Sequence, residues 1–101
     1  MLKSHYSPKH TLELFDDDSE IPADFKGEVV YLSRPNNPKP NHFWLSENGD
    51  PKDAQRNLFS LLRKLDKTSK FGFYCQRPPD GDAWLAVGDR LGRARNKSAR
   101  K

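Results

Sequence analysis

The stretch that decides the fold is Asp50-Pro-Lys-Asp-Ala-Gln-Arg-Asn-Leu-Phe-Ser-Leu-Leu-Arg-Lys-Leu-Asp66. Its apolar residues recur at steps of four, four and three, which is the spacing of one face of an amphipathic helix. These residues are Ala54, Leu58, Leu62 and Leu65. Asp50 suits the N-cap position, Pro51 suits the first helical position, and the carboxylate of Asp53 favours the positive end of the helix dipole. The stretch therefore predicts a helix from Pro51 to Asp66 whose leucines face a sheet.

Four segments around this helix are rich in the β-branched and aromatic residues that are typical of strands. They are Thr11–Phe15, Gly27–Ser33, His42–Ser46 and Phe71–Gln76. The order strand–strand–strand–helix–strand–helix predicts a small α/β domain with at least one βαβ crossover. The connection 34–41 contains three prolines and is too short for a helix between parallel strands. The early strands are therefore either an abbreviated parallel arrangement or partly antiparallel.

A second helix is predicted after the turn Pro78-Pro-Asp-Gly81, from Asp82 to Asn96. Its buried stripe consists of Trp84, Val87 and Leu91. Gly88 and Gly92 lie four residues apart on another line of the helix, where the missing side chains would permit close packing.

Composition limits the kind of protein. A chain of 101 residues fits one small domain, and no apolar run approaches the roughly 18–20 residues of a membrane span. The single Cys75 cannot form an internal disulfide and lies in an apolar run. This pattern indicates a reduced, buried thiol and a cytoplasmic protein without membrane partners.

The formal net charge of +4 comes from the end of the chain. Five basic residues stand there without an acid among them: Arg93, Arg95, Lys97, Arg100 and Lys101. Without them, residues 1–92 hold 13 basic and 14 acidic side chains. The sequence thus assigns the basicity to the tail rather than to a folded face. Such a tail either contacts RNA phosphates or is a solvated end that complements a helix dipole.

No catalytic or metal motif is evident. His5, His10, His42 and Cys75 match no zinc spacing, and the acids 16–18 lack calcium-loop spacing. The turn 79–82 has one glycine where a dinucleotide site has three, and its two acids would repel a phosphate.

Several residues are predicted to be structural or interfacial instead. The charged ones are Arg56, Arg63, Asp89 and Arg90. The aromatic ones could stack on bases, but a core this small needs them, so burial is favoured. They are Phe43, Trp44, Phe71, Phe73, Tyr74 and Trp84.

Three segments together resemble the C-terminal domain of the two-domain threonylcarbamoyl-AMP synthases, which carry a YrdC-like catalytic domain. Met1-Leu-Lys-Ser-His-Tyr-Ser-Pro8 is similar to the family's interdomain linker with its His-Tyr-Ala-Pro signature. The helix 50–66 and the segment Gly81–Ala94 are similar to two helices of the domain. The matches occur in the family's order and span most of residues 1–94. Ser7 replaces the signature alanine, and Ser4 stands where many members carry a basic residue, which weakens the case for phosphate contact from the linker.

The resemblance implies a Rossmann-like fold in two or three layers, with about four short, mostly parallel strands. Residues 1–10 would be the linker, 11–96 the C-terminal α/β domain and 97–101 a basic tail. It also implies that His5, Tyr6 and Pro8 face the active site of a catalytic domain that precedes this chain. That domain would use ATP and a divalent metal ion, whereas this chain would bind no cofactor.

The expected function is an accessory one within tRNA threonylcarbamoyladenosine modification. The catalytic domain, on the same or a separate chain, condenses threonine, bicarbonate and ATP to threonylcarbamoyl-AMP and pyrophosphate. This domain would dock on it, position the linker and be inactive alone. The alternative is a stand-alone RNA-binding or interaction module that uses the basic tail and exposed aromatic residues, with tRNA as the natural partner.

Overall fold

The computed structural model describes residues 11–94, and a four-stranded sheet organises them. The strands are β1 (Leu12–Phe15), β2 (Glu28–Ser33), β3 (His42–Ser46) and β4 (Phe73–Gln76). They lie in the order β1-β4-β2-β3, and each neighbouring pair is parallel. The predicted small α/β class with short parallel strands is confirmed, and the antiparallel alternative for the early strands is wrong.

Two helices cover one face of this sheet. They are α1 (Pro51–Thr68) and α2 (Leu85–Ala94), and they pack against each other and against the same apolar cluster. α1 begins at the predicted residue because the Asp50 carboxylate accepts a hydrogen bond from the Asp53 N–H at 3.3 Å. α2 follows a single 3-10 turn, Asp82–Trp84, and so begins later than predicted. The predicted helix end at Asn96 lies outside the described residues.

The core lies between the helices and the sheet. α1 buries Ala54, Leu58, Leu62 and Leu65, as its spacing predicts. From the sheet come Leu12, Val30, Leu32, Leu45, Phe73 and Cys75, and α2 adds Val87, Leu91 and Ala94. Complete burial raises the pKa of the Cys75 thiol to about 12, so this sulfur stays protonated and unreactive at neutral pH.

The connecting segments that cross the other face of the sheet contain no α-helix. Successive strands move one way across the sheet from β1 to β2 to β3, and the opposite way from β3 to β4. Because parallel crossovers are right-handed, the first two connections, 16–27 and 34–41, pass over the face that α1 leaves open. The segment 16–27 forms only a 3-10 turn, Asp18–Glu20. We call this face the helix-free face.

The connection 34–41 explains how parallel strands pair without a crossover helix. A strand as short as β3 requires a return path of about 17 Å, and eight extended residues span up to roughly 26 Å. Three prolines exclude a helix here, and the segment bends at Asn37, whose φ is +49°. The chain is thus just long enough to bring β3 back parallel to β2.

Two glycines allow the strands to begin close together. A Cβ on Gly27 would lie 2.2 Å from the Gly72 carbonyl oxygen, and Gly72 itself has a φ of +92°. Gly92 differs, because a Cβ there would meet no described atom within 4 Å, and one on Gly88 would meet only the Pro78 ring. The predicted close packing along Gly88 and Gly92 is therefore not found within residues 11–94.

None of the helices within residues 11–94 has the combination of length and apolar character that crossing a membrane requires.

Candidate functional site

The outer surface of the two helices brings together charged residues that the sequence predicts to be structural or interfacial. The guanidinium of Arg63 lies 5.9 Å from the centroid of the Phe59 ring, and that of Arg90 lies 5.2 Å from the same centroid. Both distances fit cation–π contact. The half-buried Phe59 therefore orders one cation from each helix.

Sequence reasoning missed Phe59. The pair Phe59 and Arg63 could have been found, because residues four apart in a helix lie side by side. The contact between Phe59 and Arg90 could not, because it depends on how α2 packs on α1.

The two other charged residues of the predicted set form local ion pairs. Arg56 Nη1 lies 3.0 Å from Asp53 Oδ1, and Asp89 Oδ2 lies 3.4 Å from Arg93 Nε. All four side chains are more than a third exposed, so each pair contributes little to stability. Arg56 and Asp89 thus leave α1 and α2 with charged, solvent-facing surfaces.

The helix-free face holds a second candidate, a pocket of about 380 Å³ between the segment 16–27 and strands β2 and β3. Tyr31 and His42 meet edge to face at 5.1 Å, and the Tyr31 hydroxyl donates to Asp18 Oδ2 at 3.5 Å. The Lys39 backbone N–H donates to His42 Nδ1 at 3.2 Å. This hydrogen bond requires the neutral imidazole with its proton on Nε2.

Electrostatics favour the same neutral form of His42. Partial burial lowers the pKa of His42, the Lys39 ammonium lowers it further, and Asp18 opposes both effects. The pKa of Tyr31 is raised, first by burial and then by the neighbouring Asp18 carboxylate. Both rings are therefore uncharged at neutral pH, and the charged residues that line the pocket are one acid, Asp18, and one base, Lys39.

The pocket and the buried thiol cannot share a metal or a reaction. His42 is aligned with Val29 and Tyr74, so it lies on the opposite sheet face from Cys75. Among residues 11–94 no three His, Cys, Asp or Glu side chains converge as a metal site would need. His5 and His10 lie outside the described residues.

The acidic segment 16–18 has a structural role. Asp17 accepts hydrogen bonds from the Ser19 hydroxyl and from the Ser19 N–H, which lower its pKa and cap the 3-10 turn. Asp16 Oδ1 lies 2.9 Å from Arg77 Nε, which ties the end of β1 to the end of β4. These carboxylates are engaged with the protein itself.

The predicted aromatic core is only partly present. Phe73 is fully buried, and Phe43 and Trp84 pack against the core. Tyr74 instead meets Phe25 at 4.8 Å on the helix-free face, and Phe71 is 58% exposed. The prediction that Phe71 belongs to the core is wrong.

The linker residues His5, Tyr6 and Pro8 lie outside the described residues, so the structure does not locate them. What it does describe is the point where the linker enters the domain. The Phe73 N–H donates to the Thr11 carbonyl at 2.9 Å, and the Arg77 N–H donates to the Phe15 carbonyl at 2.8 Å. The residue after the linker is thus bonded directly to β4.

Comparison with known proteins identifies the family. The family model for the C-terminal domain of threonylcarbamoyl-AMP synthase matches residues 1–95, which include α1, α2 and the four strands of the described sheet. Neither a curated protein nor a solved structure matched the chain. On the strength of the family model, the chain belongs to the threonylcarbamoyl-AMP synthase C-terminal domain family.

Proposed function

We propose that this chain is an accessory domain that docks on a YrdC-like catalytic domain and holds the linker across its active site. The observation that carries the proposal is the family match over residues 1–95, which covers the folded domain together with the residues proposed as the linker. The geometry supports it, since Thr11 is bonded to β4 and gives the linker a fixed end.

The division of chemistry follows from this arrangement. The catalytic domain would bind ATP with a divalent metal ion and condense threonine with bicarbonate in the cytoplasm. The linker would supply Tyr6, whose hydroxyl can donate to a substrate oxygen while its ring excludes water. Pro8 restricts Ser7 to extended backbone, which suits a segment that lies along a surface. Closure of this kind commits bound substrates to reaction.

The test is kinetic and uses a two-domain synthase that carries this C-terminal domain. Tyr6→Phe removes the hydroxyl and keeps the ring, so a lost hydrogen bond to a charged group predicts slower pyrophosphate release by roughly ten- to a hundred-fold. Tyr74→Phe is the matched control, because Tyr74 lies in the folded domain, where its ring meets that of Phe25, and does not line the candidate pocket. Equal rates for the wild-type and Tyr6→Phe enzymes would mean that the Tyr6 hydroxyl does not contact substrate and that the linker only connects the two domains.

The basic tail supports a second, separate proposal, contact with tRNA. Residues 95–101 carry four basic and no acidic side chains. Phosphate contacts by such a segment give an affinity that falls steeply with salt. Removal of residues 95–101 should weaken tRNA binding at low salt, and unchanged affinity would exclude the tail as the contact.

A further inference from the structure

Charge is segregated between the two faces of the described domain. The helical layer, α1 and α2, holds seven basic and three acidic side chains. The segment 16–27, which crosses the helix-free face, holds five acidic and one basic side chain. These elements lie on opposite sides of the sheet. The near-zero net charge of residues 1–92 is therefore the sum of a basic face and an acidic face. The assignment of the basicity to the tail alone is therefore incomplete.

The basic face has a regular geometry on α1. Four exposed cations recur at steps of four, seven and four on the side opposite the buried leucines. They are Lys52, Arg56, Arg63 and Lys67. With a rise of 1.5 Å per residue, the row is about 22 Å long. Phe59 lies near its middle, where it orders Arg63 and brings Arg90 of α2 to the row.

Three acids offset part of this charge. Asp53 pairs with Arg56, and Asp89 pairs with Arg93, both in exposed ion pairs of low energy. Asp66 is 7% exposed and lies toward the core side of α1. Counted together, α1 and α2 keep a net formal charge of +4, from seven basic and three acidic side chains.

The chemistry of this surface fits a nucleic acid better than a protein. Protein interfaces are depleted in lysine and centre on buried apolar anchors. This row has two lysines, and Phe59 is its one large aromatic side chain, covered by two guanidinium groups. Nucleic-acid interfaces are polar and strongly positive, and guanidinium groups make bidentate contacts with phosphate.

We propose that the outer surface of α1 and α2 binds the phosphodiester backbone of a nucleic acid. This surface consists of the four cations of the row on α1 together with Phe59 and Arg90. It is distinct from the tail, and the proposal does not rest on docking to a catalytic domain. Because Phe59 already orders the side chains of Arg63 and Arg90, they lose less conformational entropy when they bind a phosphate.

The experiment measures binding of the full chain to fluorescently labelled, unfractionated tRNA by anisotropy as a function of salt. The test variant is Lys52→Glu with Arg63→Glu and Lys67→Glu. The matched control is Lys26→Glu with Arg34→Glu and Lys39→Glu, which changes net charge equally but outside α1 and α2. A third protein ends at Ala94 and lacks the tail.

The test variant should lose tenfold or more in affinity at about 50 mM salt, and the magnitude of its log–log salt slope should fall by roughly two to three. The control should bind within about threefold of wild type, and the protein ending at Ala94 should retain salt-dependent binding. Circular dichroism verifies folding. If the Glu variant is unfolded, Lys52→Gln with Arg63→Gln and Lys67→Gln replaces it, with the same expected direction.

Three results would overturn the proposal. Equal losses in the test and control variants would show that only net charge matters. Loss of all binding on removal of residues 95–101 would assign the contact to the tail. Tighter binding to polyglutamate than to tRNA or a DNA duplex of matched charge would identify the row as a site for an acidic protein.

Discussion

Leu58 and Leu62 are the residues at which the sequence and the core agree most closely. Their side chains are 0% and 1% exposed and face the sheet from α1. Truncation of a buried leucine to alanine removes apolar contacts and leaves a cavity, which typically costs about 2–5 kcal/mol. We expect Leu58→Ala and Leu62→Ala to lower the free energy of unfolding by this amount in urea titrations. Ser60→Ala, at an exposed position on the same helix, is the control. Near-neutral leucine variants would mean that α1 packs by another face.

The lowered pKa of His42 predicts that the stability of the fold depends on pH. Its folded-state pKa is lowered from the usual 6.5, so the unfolded chain binds its proton more readily. The stabilising contribution of neutral His42 is therefore complete above pH 6.5 and is lost as the pH falls through the folded-state pKa. An NMR titration should show His42 changing charge below the pH at which a short peptide containing it does. The opposite order would mean that Asp18 outweighs burial and Lys39.

The sequence predicted individual buried residues correctly where they follow the helical repeat. The apolar stripe of α1 needs only the 3.6-residue repeat, which is local. The exposure of Phe71 and the contact between Phe59 and Arg90 depend on tertiary packing, which no local pattern encodes. Sequence alone placed Arg63 and Arg90 on the surface but could not bring them to one ring.

At the scale of the element, the start of α1 is set by its cap. The Asp50 carboxylate accepts from the Asp53 N–H, and Pro51 occupies the first turn, where its missing N–H is not needed. Asp50→Ala removes the acceptor and should cost about 0.5–2 kcal/mol in thermal or urea unfolding. Asp50→Asn keeps an oxygen acceptor and should be close to wild type. Equal losses in both variants would point to charge rather than capping.

Capping and turn residues located the start of α1, whereas its end at Thr68 and the start of α2 at Leu85 differ from the prediction. Asp50-Pro51 fixed the start of α1, and the strands were located to within two residues at either end. The start of α2 was missed by three residues because Asp82–Trp84 forms a 3-10 turn. That turn satisfies the same sequence preferences as an α-helical turn, so composition does not distinguish the two.

At the scale of the whole molecule, strand order was the least predictable property. The sequence indicated parallel pairing through one βαβ unit but left the direction of the early strands open. The deciding factor was a length comparison between the connection 34–41 and the short strand it must bypass. The charge segregation was equally hidden, because it appears only when helices and connections are placed on opposite faces.

The position of β4 has a consequence for how the domain is made. β4 is the last strand in the chain, yet it lies between β1 and β2, and the register joins Leu12 to Phe73. During synthesis β1 is translated before the other three strands, and its sheet neighbour β4 is translated last. The segment before Thr11 therefore gains a fixed attachment only after β4 has been translated. A chain that ends before Phe73 lacks the one neighbour that β1 has in the described sheet, so Thr11 has no strand to bond to.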